Sequence, residues 1–327
     1  MDAEKKKQKR SAAAAEKYIR ELFPVGQEFV FKDKKYSVEK SGKPTCGRDN
    51  GEPKTDIYVS AAYVEDENEK IELKISYKKK NADFIENKIS AERAKQILGN
   101  GWKRILTNRL KELEGKFEEI PLVYYDKKGK TDQGSIALGW RFELVDKKKN
   151  GKLSGDLKLT EKQLIEAYKG AKNVIQKRNA KVNGEEIKNS GVADYMLRID
   201  SEDLHSAQDV IEHLVPIEKY VREHPQATYV CKALNYWTKE MHDDKRWEGD
   251  RPLAIYVEWS EVDGKLTPNL IMNNPLMVRG NTVANRLEKY LQLLNITDTD
   301  DLTKDNLGTD KAYRKKEKPK AKNIKKK

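Results

Sequence analysis

The sequence predicts a mixed α/β fold of the α+β type. Its hydrophobic pattern changes from helical spacing to strict alternation and back, so the predicted order in the first half is helix, strands, helices, strands. With 327 residues, the chain is also long enough for one large domain or two ordinary ones. These observations predict a globular protein that contains both helices and sheets.

The N-terminal elements are a helix and a pair of strands. Residues 12–23 place their apolar side chains on one helical face, and Pro24 followed by Gly26 ends this helix. Residues 28–40 alternate apolar and polar side chains, which predicts two strands that turn near residues 33–35.

A second hairpin follows, and the pattern then becomes helical again. Residues 56–64 and 70–78 alternate around the polar turn EDENE, which predicts two paired strands. Residues 81–98 have helical spacing, with Asn81 as the predicted N-cap, and residues 102–115 continue this spacing.

Changes in composition divide the chain into three predicted segments. Residues 1–146 contain the elements above and two further strand-like runs, and a charged stretch that begins at residue 147 marks a boundary. Residues 147–300 are predicted to form a second α/β region, and residues 301–327 a disordered basic tail.

The basic excess lies at the two ends of the chain. The net charge is +12, of which residues 1–11 carry +3 and residues 311–327 carry +9, so the body between them is close to neutral. Lysine-rich ends attract polyanions because binding releases condensed counterions. A nucleic acid is therefore the predicted partner, although lysine tails can also serve solubility alone.

Several other classes of protein are disfavoured by the sequence. It has no apolar run of about 18 residues and no secretory-type N-terminus, which predicts a soluble cytoplasmic protein without a membrane partner. Cys46 and Cys231 stand far apart, so neither a disulfide framework nor a zinc site is expected. The glycine-rich phosphate loop of an ATP-driven motor is missing.

Asp56 opens the first strand of the second hairpin, and lysines close the second strand. The side chains of residues 72, 74, 76 and 78 point to one face, because strands alternate with a period of two. Pairing Asp56 with Ser76 centres the hairpin in the polar turn, whereas pairing it with Glu72 centres it in an apolar run. The register thus favours Ser76 with Lys78, and Glu72 with Lys74 remains the alternative.

The stretch PKTD, followed across the turn by ISYK, resembles the PD-(D/E)xK superfamily of nucleases. This resemblance covers about the first 145 residues and implies a restriction-endonuclease-like core, a central mixed β-sheet flanked by helices. It implies a Mg²⁺-dependent DNA endonuclease of restriction, homing or phage-encoded type, in which Mn²⁺ can replace Mg²⁺. Residues 1–146 would be the nuclease core, and residues 147–300 would serve recognition or assembly.

The resemblance also implies roles for individual residues. Asp56 would be the catalytic metal ligand, and Lys78, or Lys74 in the other register, would stabilise the transition state. Ser76 stands in place of the usual acid of the family and would lie at the metal with Asp56, and a further ligand would come from Glu72 or from a helical glutamate. The candidates for that ligand are Glu21, Glu16 and Glu86, and the expected DNA contacts are Lys54, Lys79 and Lys80.

Two other functions remain open at this point. A non-catalytic DNA-binding protein on a degenerate nuclease core would explain the missing acid before Lys78, and a structural RNA-associated protein would use the lysine tails alone. A homodimer is compatible with cutting both strands of a duplex.

Overall fold

The computed structural model describes residues 10–47, 52–87, 89–146, 153–170, 175–241 and 245–315. It confirms the mixed α/β class: helices pack on two main sheets, and each sheet has a hydrophobic core of its own. Within these ranges, no helix is both long enough and apolar enough to cross a membrane.

The elements are numbered along the chain. The α-helices are α1 Ala12–Glu21, α2 Ala91–Leu98, α3 Trp102–Lys111, α4 Glu114–Glu118, α5 Glu161–Lys169, α6 Ile175–Arg178, α7 Ala207–Glu212, α8 Ile217–Glu223 and α9 Gly280–Leu293. The strands are β1 Glu28–Phe31, β2 Lys34–Gly42, β3 Ile57–Tyr63, β4 Asp66–Lys78, β5 Phe84–Glu86, β6 Val123–Tyr124, β7 Ser135–Val145, β8 Ser154–Asp156, β9 Lys181–Val182, β10 Glu185–Glu186, β11 Tyr195–Arg198, β12 Val215–Pro216, β13 Thr228–Met241, β14 Lys245–Trp247, β15 Pro252–Leu253, β16 Ile255–Val262, β17 Lys265–Ile271, β18 Val278–Arg279 and β19 Ala312–Tyr313.

The first sheet has the order β1-β2-β3-β4-β11-β12. Strands β1 to β4 form an antiparallel meander, and β11 lies parallel to β4. Helix α1 contributes Ile19 to the core of this sheet and α7 contributes Val210, where they meet Ile57, Ile75 and Leu197. Both predicted hairpins are confirmed, and Lys32 and Asp33 form the first turn with positive φ angles.

The second sheet is built around β7, which pairs with β13 along most of its length. Its main path is β14-β13-β7-β16-β17, and four short strands attach at its margins. Trp140 and Phe142 are buried in the larger of the two cores. At Gly139 the chain comes so close to Ile255 that a Cβ would lie 2.3 Å from its carbonyl oxygen, so β7 needs glycine there.

The predicted division at residue 146 does not separate the two sheets. Strands β5, β6 and β7 precede it but belong to the second sheet, while β11 and β12 follow it and complete the first. The stretch from residue 153 enters β8, which pairs with β13, so the charged segment connects strands of one sheet. Its residues 147–152 lie outside the described ranges.

The predicted helix after Asn81 begins later than the sequence indicated. Residues 84–86 form β5, which pairs with β7, and α2 begins at Ala91 with the hydroxyl of Ser90 as its N-cap. Asn81 therefore does not cap a helix. Pairing with a distant strand overrides the local helical spacing of this segment.

The predicted tail is partly folded. Leu302 and Leu307 are buried, and β19 pairs in parallel with β6, so residues 301–315 belong to the body of the second sheet. The apolar side chains of this segment explain its order, since a disordered tail would leave them in water. Residues 316–327 and 1–9, the most basic parts of both ends, lie outside the described ranges.

Candidate functional site

The register of β3 and β4 places Asp56 opposite Ser76. Ile57 pairs with Ile75, and the N–H of Asp56 donates to the carbonyl oxygen of Ile75 at 2.9 Å. The predicted register is confirmed, but the turn is formed by residues 64–65. Residues 66–69 of the expected polar turn belong to β4, because the register shifts between Ala62 and Tyr63. Ser76 and Lys78 point to the same face of β4, and both side chains are buried.

The carboxylate of Asp56 is held by the strand beside it. Its Oδ2 accepts a hydrogen bond from the N–H of Tyr77 at 2.8 Å and a longer one from the hydroxyl of Ser76 at 3.5 Å. Burial and the negative charge of Glu16 raise the pKa of Asp56 to about 7, against the Tyr77 hydrogen bond and nearby Lys78. Asp56 is thus a destabilised carboxylate that a cation would stabilise.

Lys78, the predicted catalytic lysine, is buried near Asp56. Its Nζ lies 4.1 Å from the centre of the Phe84 ring. Burial, followed by the positive charge of Lys54, lowers the pKa of Lys78 to about 7, although the charge of Asp56 acts in the opposite direction. At neutral pH this amine is therefore divided between its charged and neutral forms.

Lys54, predicted to contact DNA, is instead part of a buried ion network. Its Nζ donates to the carbonyl oxygen of Ile85 at 2.6 Å and lies 3.3 Å from Glu86. The other oxygen of Glu86 binds Arg93 at 2.7 Å. Burial alone would raise the pKa of Glu86, but these two cations hold it below its ordinary value. Glu86 is thus committed to Lys54 and Arg93.

Helix α1 supplies the second carboxylate near Asp56. Glu16 is close enough to raise the pKa of Asp56, and its carboxylate forms an ion pair with Lys43 at 3.0 Å. One turn further on, Arg20 Nη1 donates to the carbonyl oxygen of Asp56 at 3.4 Å. The side of α1 that carries residues 16 and 20 therefore faces the end of β3.

Glu21, the helical glutamate named as a metal ligand from the sequence, is placed differently. It is exposed and lies 3.7 Å from Lys17 on the adjacent side of α1. The structure therefore brings Glu16, rather than Glu21, to Asp56.

The alternative register pair makes contacts of its own away from Asp56. The hydroxyl of Tyr58 donates to Glu72, and Glu72 lies opposite Ser60 in the hairpin. Lys74 forms an ion pair with Asp194 at 2.8 Å. Neither Glu72 nor Lys74 is paired with Asp56.

The two remaining predicted DNA contacts follow β4. The ammonium of Lys79 binds the carbonyl oxygen of Arg10, so it ties the N-terminal segment to the sheet. Lys80 is exposed, and it is the one of the three predicted DNA contacts that faces solvent freely.

The site offers two carboxylates to a metal ion. In the part of the chain that the structure describes, no cluster of three or more His, Cys, Asp or Glu side chains has metal-binding geometry. Mg²⁺, however, is commonly held by one or two carboxylates together with substrate phosphate and water. Asp56 and Glu16 provide this donor set, and their mutual repulsion is relieved by a cation, so these residues fit Mg²⁺.

Two contributors to the site, Phe84 and Arg93, could not be identified from the sequence. Phe84 reaches Lys78 because β5 follows β4 closely, and Arg93 enters from the first turn of α2. Arg93 was not predicted as a site residue, because the start of its helix was predicted at the wrong position.

No family model, curated protein or solved structure matches this chain in the comparisons with known proteins.

Proposed function

We propose that this protein is a Mg²⁺-dependent DNA endonuclease built on a restriction-endonuclease-like core. Support comes from the first sheet, in which a helix, an antiparallel meander and a strand parallel to its last member follow one another in chain order. In this proposal the segment between β4 and β11 is a large insertion that carries much of the second sheet.

The observation that carries the proposal is the convergence of Asp56, Ser76, Lys78 and Glu16. A half-buried carboxylate and a buried lysine lie close together at the open end of a hairpin, and both have pKa values far from those of exposed groups. Strongly perturbed pKa values in one cluster are typical of functional sites. The cost of burying these groups is difficult to explain by folding alone.

The residues of the site divide the work of phosphodiester hydrolysis among them. Asp56 and Glu16 would hold Mg²⁺, and the N–H of Tyr77 and the hydroxyl of Ser76 keep Asp56 oriented. When bound, the metal lowers the pKa of water and offsets negative charge on the phosphate. Lys78 in its neutral form can accept a proton from the attacking water. In its charged form it can stabilise the pentacoordinate transition state at phosphorus.

The basic ends would give the enzyme a sequence-independent affinity for DNA. Residues 311–327 carry a net charge of +9 and begin where β19 anchors the chain to the second sheet. Each lysine that neutralises a phosphate adds to the salt dependence of binding. Homodimer formation would allow such an enzyme to cut both strands.

A plasmid cleavage assay tests the proposal. Supercoiled DNA, with and without base modification, is incubated with the protein and Mg²⁺, and the nicked and linear products are measured. We expect cleavage that stops with EDTA and falls at least about a hundredfold in Asp56→Asn. Asp305→Asn, a change at an exposed carboxylate, is the matched control and should retain full activity. If no substrate is nicked in Mg²⁺ or Mn²⁺, the proposed activity is wrong.

One observation favours a second candidate, a non-catalytic DNA-binding protein on a degenerate core. Glu86, another acid close to Lys78, is neutralised by Lys54 and Arg93 and is therefore not free to bind a metal. The same experiment separates the candidates, because this protein would bind the plasmid in Mg²⁺ and leave it supercoiled.

A further inference from the structure

Lys43 occupies a position that neither the hairpin motif nor the basic ends explain. It directly follows β2, and its ammonium lies 3.0 Å from Glu16, the carboxylate that α1 presents towards Asp56. The Glu16 side chain is only 15% exposed in this arrangement, while that of Lys43 is 39% exposed. The ammonium thus approaches a nearly buried carboxylate from the solvent side.

We propose that Lys43 is an internal counter-ion of the metal site, which pairs with Glu16 before the metal binds and must be displaced when it binds. The inference rests on the proposed function, because it concerns the same two carboxylates. It adds a residue that limits metal affinity, and it explains how the chain folds with Asp56 and Glu16 close together.

Each of the two carboxylates has positive charge on its own side. Two carboxylates that repel each other require a positive charge nearby, and Lys78 and Lys54 lie on the Asp56 side of the pair. Glu16 forms its ion pair with Lys43. An oxygen of Glu16 that accepts from the ammonium cannot at the same time give that lone pair to a metal, so the two cations compete for Glu16.

Lys40, which lies on β2 three residues before Lys43, offers a matched control. It also forms an ion pair with a glutamate, but its partner Glu185 lies in β10 and is mostly exposed. Lys40→Met and Lys43→Met therefore remove the same charge and a similar contact from positions three residues apart. Only Lys43→Met removes a charge from a carboxylate assigned to the metal.

Isothermal titration calorimetry with Mn²⁺, at mildly alkaline pH and without DNA, tests this competition. Loss of an ion pair that is partly exposed corresponds to up to about a fivefold change in an equilibrium constant. We expect Lys43→Met to bind Mn²⁺ about three- to fivefold more tightly than the wild type, and Lys40→Met to bind like the wild type. In a Glu16→Gln background, the Lys43→Met change should have no effect on Mn²⁺ affinity.

The outcomes separate the two proposals. If the wild type binds Mn²⁺ and Asp56→Asn does not, but Lys43→Met binds no more tightly than the wild type, the counter-ion role is wrong and the nuclease proposal stands. If neither the wild type nor Lys43→Met binds Mn²⁺ in a way that depends on Asp56, both are wrong. Thermal unfolding of each variant verifies that the fold is intact.

Discussion

Replacing Asp56 by Asn should stabilise the protein, and the gain should grow as the pH rises from about 4 to 7. The physical reason is that burial and Glu16 raise the pKa of Asp56 from 3.8 to about 7. Between these two values the folded chain keeps a proton that the unfolded chain has released. Stability therefore falls with rising pH in this window and is constant above it, as far as Asp56 is concerned.

The size of the effect follows from the shift in pKa. Each pKa unit corresponds to about 1.4 kcal/mol, so a shift from 3.8 to about 7 gives an upper limit of about 4 kcal/mol. We expect about 2–4 kcal/mol of stabilisation above pH 7, which for a chain of this length is about 3–6 °C in melting temperature. Asn keeps the shape of Asp and can still accept the hydrogen bond from Tyr77.

Lys78 should give a pH dependence of stability that is opposite in sign to that of Asp56 and lies above pH 7. Its pKa falls from 10.5 to about 7, so the unfolded chain binds a proton between these values that the folded chain lacks. Stability should therefore rise with pH in this window, and Lys78→Met should stabilise the protein most below pH 7. Together the two groups predict a minimum of stability near neutral pH.

The assay is thermal unfolding followed by circular dichroism from pH 4 to 10 in EDTA. Wild type and Asp56→Asn are compared at each pH, and the exposed carboxylate change Asp305→Asn is the control. An Asp56→Asn variant that is less stable than the wild type at pH 8, or a difference that does not vary between pH 4 and 7, would refute the reasoning.

Three further changes have defined outcomes. Arg93→Met should cost about 3–5 kcal/mol in melting experiments, because it removes one of the two cations that neutralise the buried Glu86, and Arg93→Lys should not restore the full loss. Gly139→Ala should cost about 3 kcal/mol or more, since its Cβ would strike the backbone of β16, whereas Gly129→Ala has open space and serves as the comparison. Deletion of residues 316–327 should weaken DNA binding and reduce its salt dependence without lowering the melting temperature.

The local features of the first sheet were predictable from the sequence. The sequence of the β3–β4 hairpin has a polar segment between its alternating runs, and a one-residue slip would turn every buried side chain to the wrong face. This constraint is local, so the pairing of Asp56 with Ser76 followed from the pattern alone.

The sequence was only partly sufficient to choose between Glu16 and Glu21 as the helical glutamate near Asp56. Successive residues of a helix are about 100° apart, so Glu21 lies about 200° from the buried Ile19, whereas Glu16 lies about 100° from the buried Ala15. A helical wheel therefore favours Glu16 over Glu21. It cannot show that Glu16 reaches the end of β3, because this depends on how α1 packs on the sheet.

The features that the sequence did not predict correctly depend on contacts between distant segments. Residues 84–86 have helical spacing but become a strand because β7 pairs with them, and the first sheet is completed by β11 from the far side of the predicted boundary. Short strands carry little signal of their own, and their partners lie many residues away. For the same reason, the sequence did not reveal that each of the two main sheets takes strands from both sides of residue 146.

We propose that Asp56, facing Ser76 and Lys78, forms a working nuclease site. Its most direct test is Mg²⁺-dependent cleavage of DNA by Lys78→Met and Lys74→Met, because the two lysines lie on the same face of β4 and only the first lies beside Asp56. We expect Lys78→Met to lose at least about a hundredfold in rate, and Lys74→Met to stay within about tenfold of the wild type. Loss of activity in Lys74→Met alone, or full activity in Lys78→Met, would contradict it.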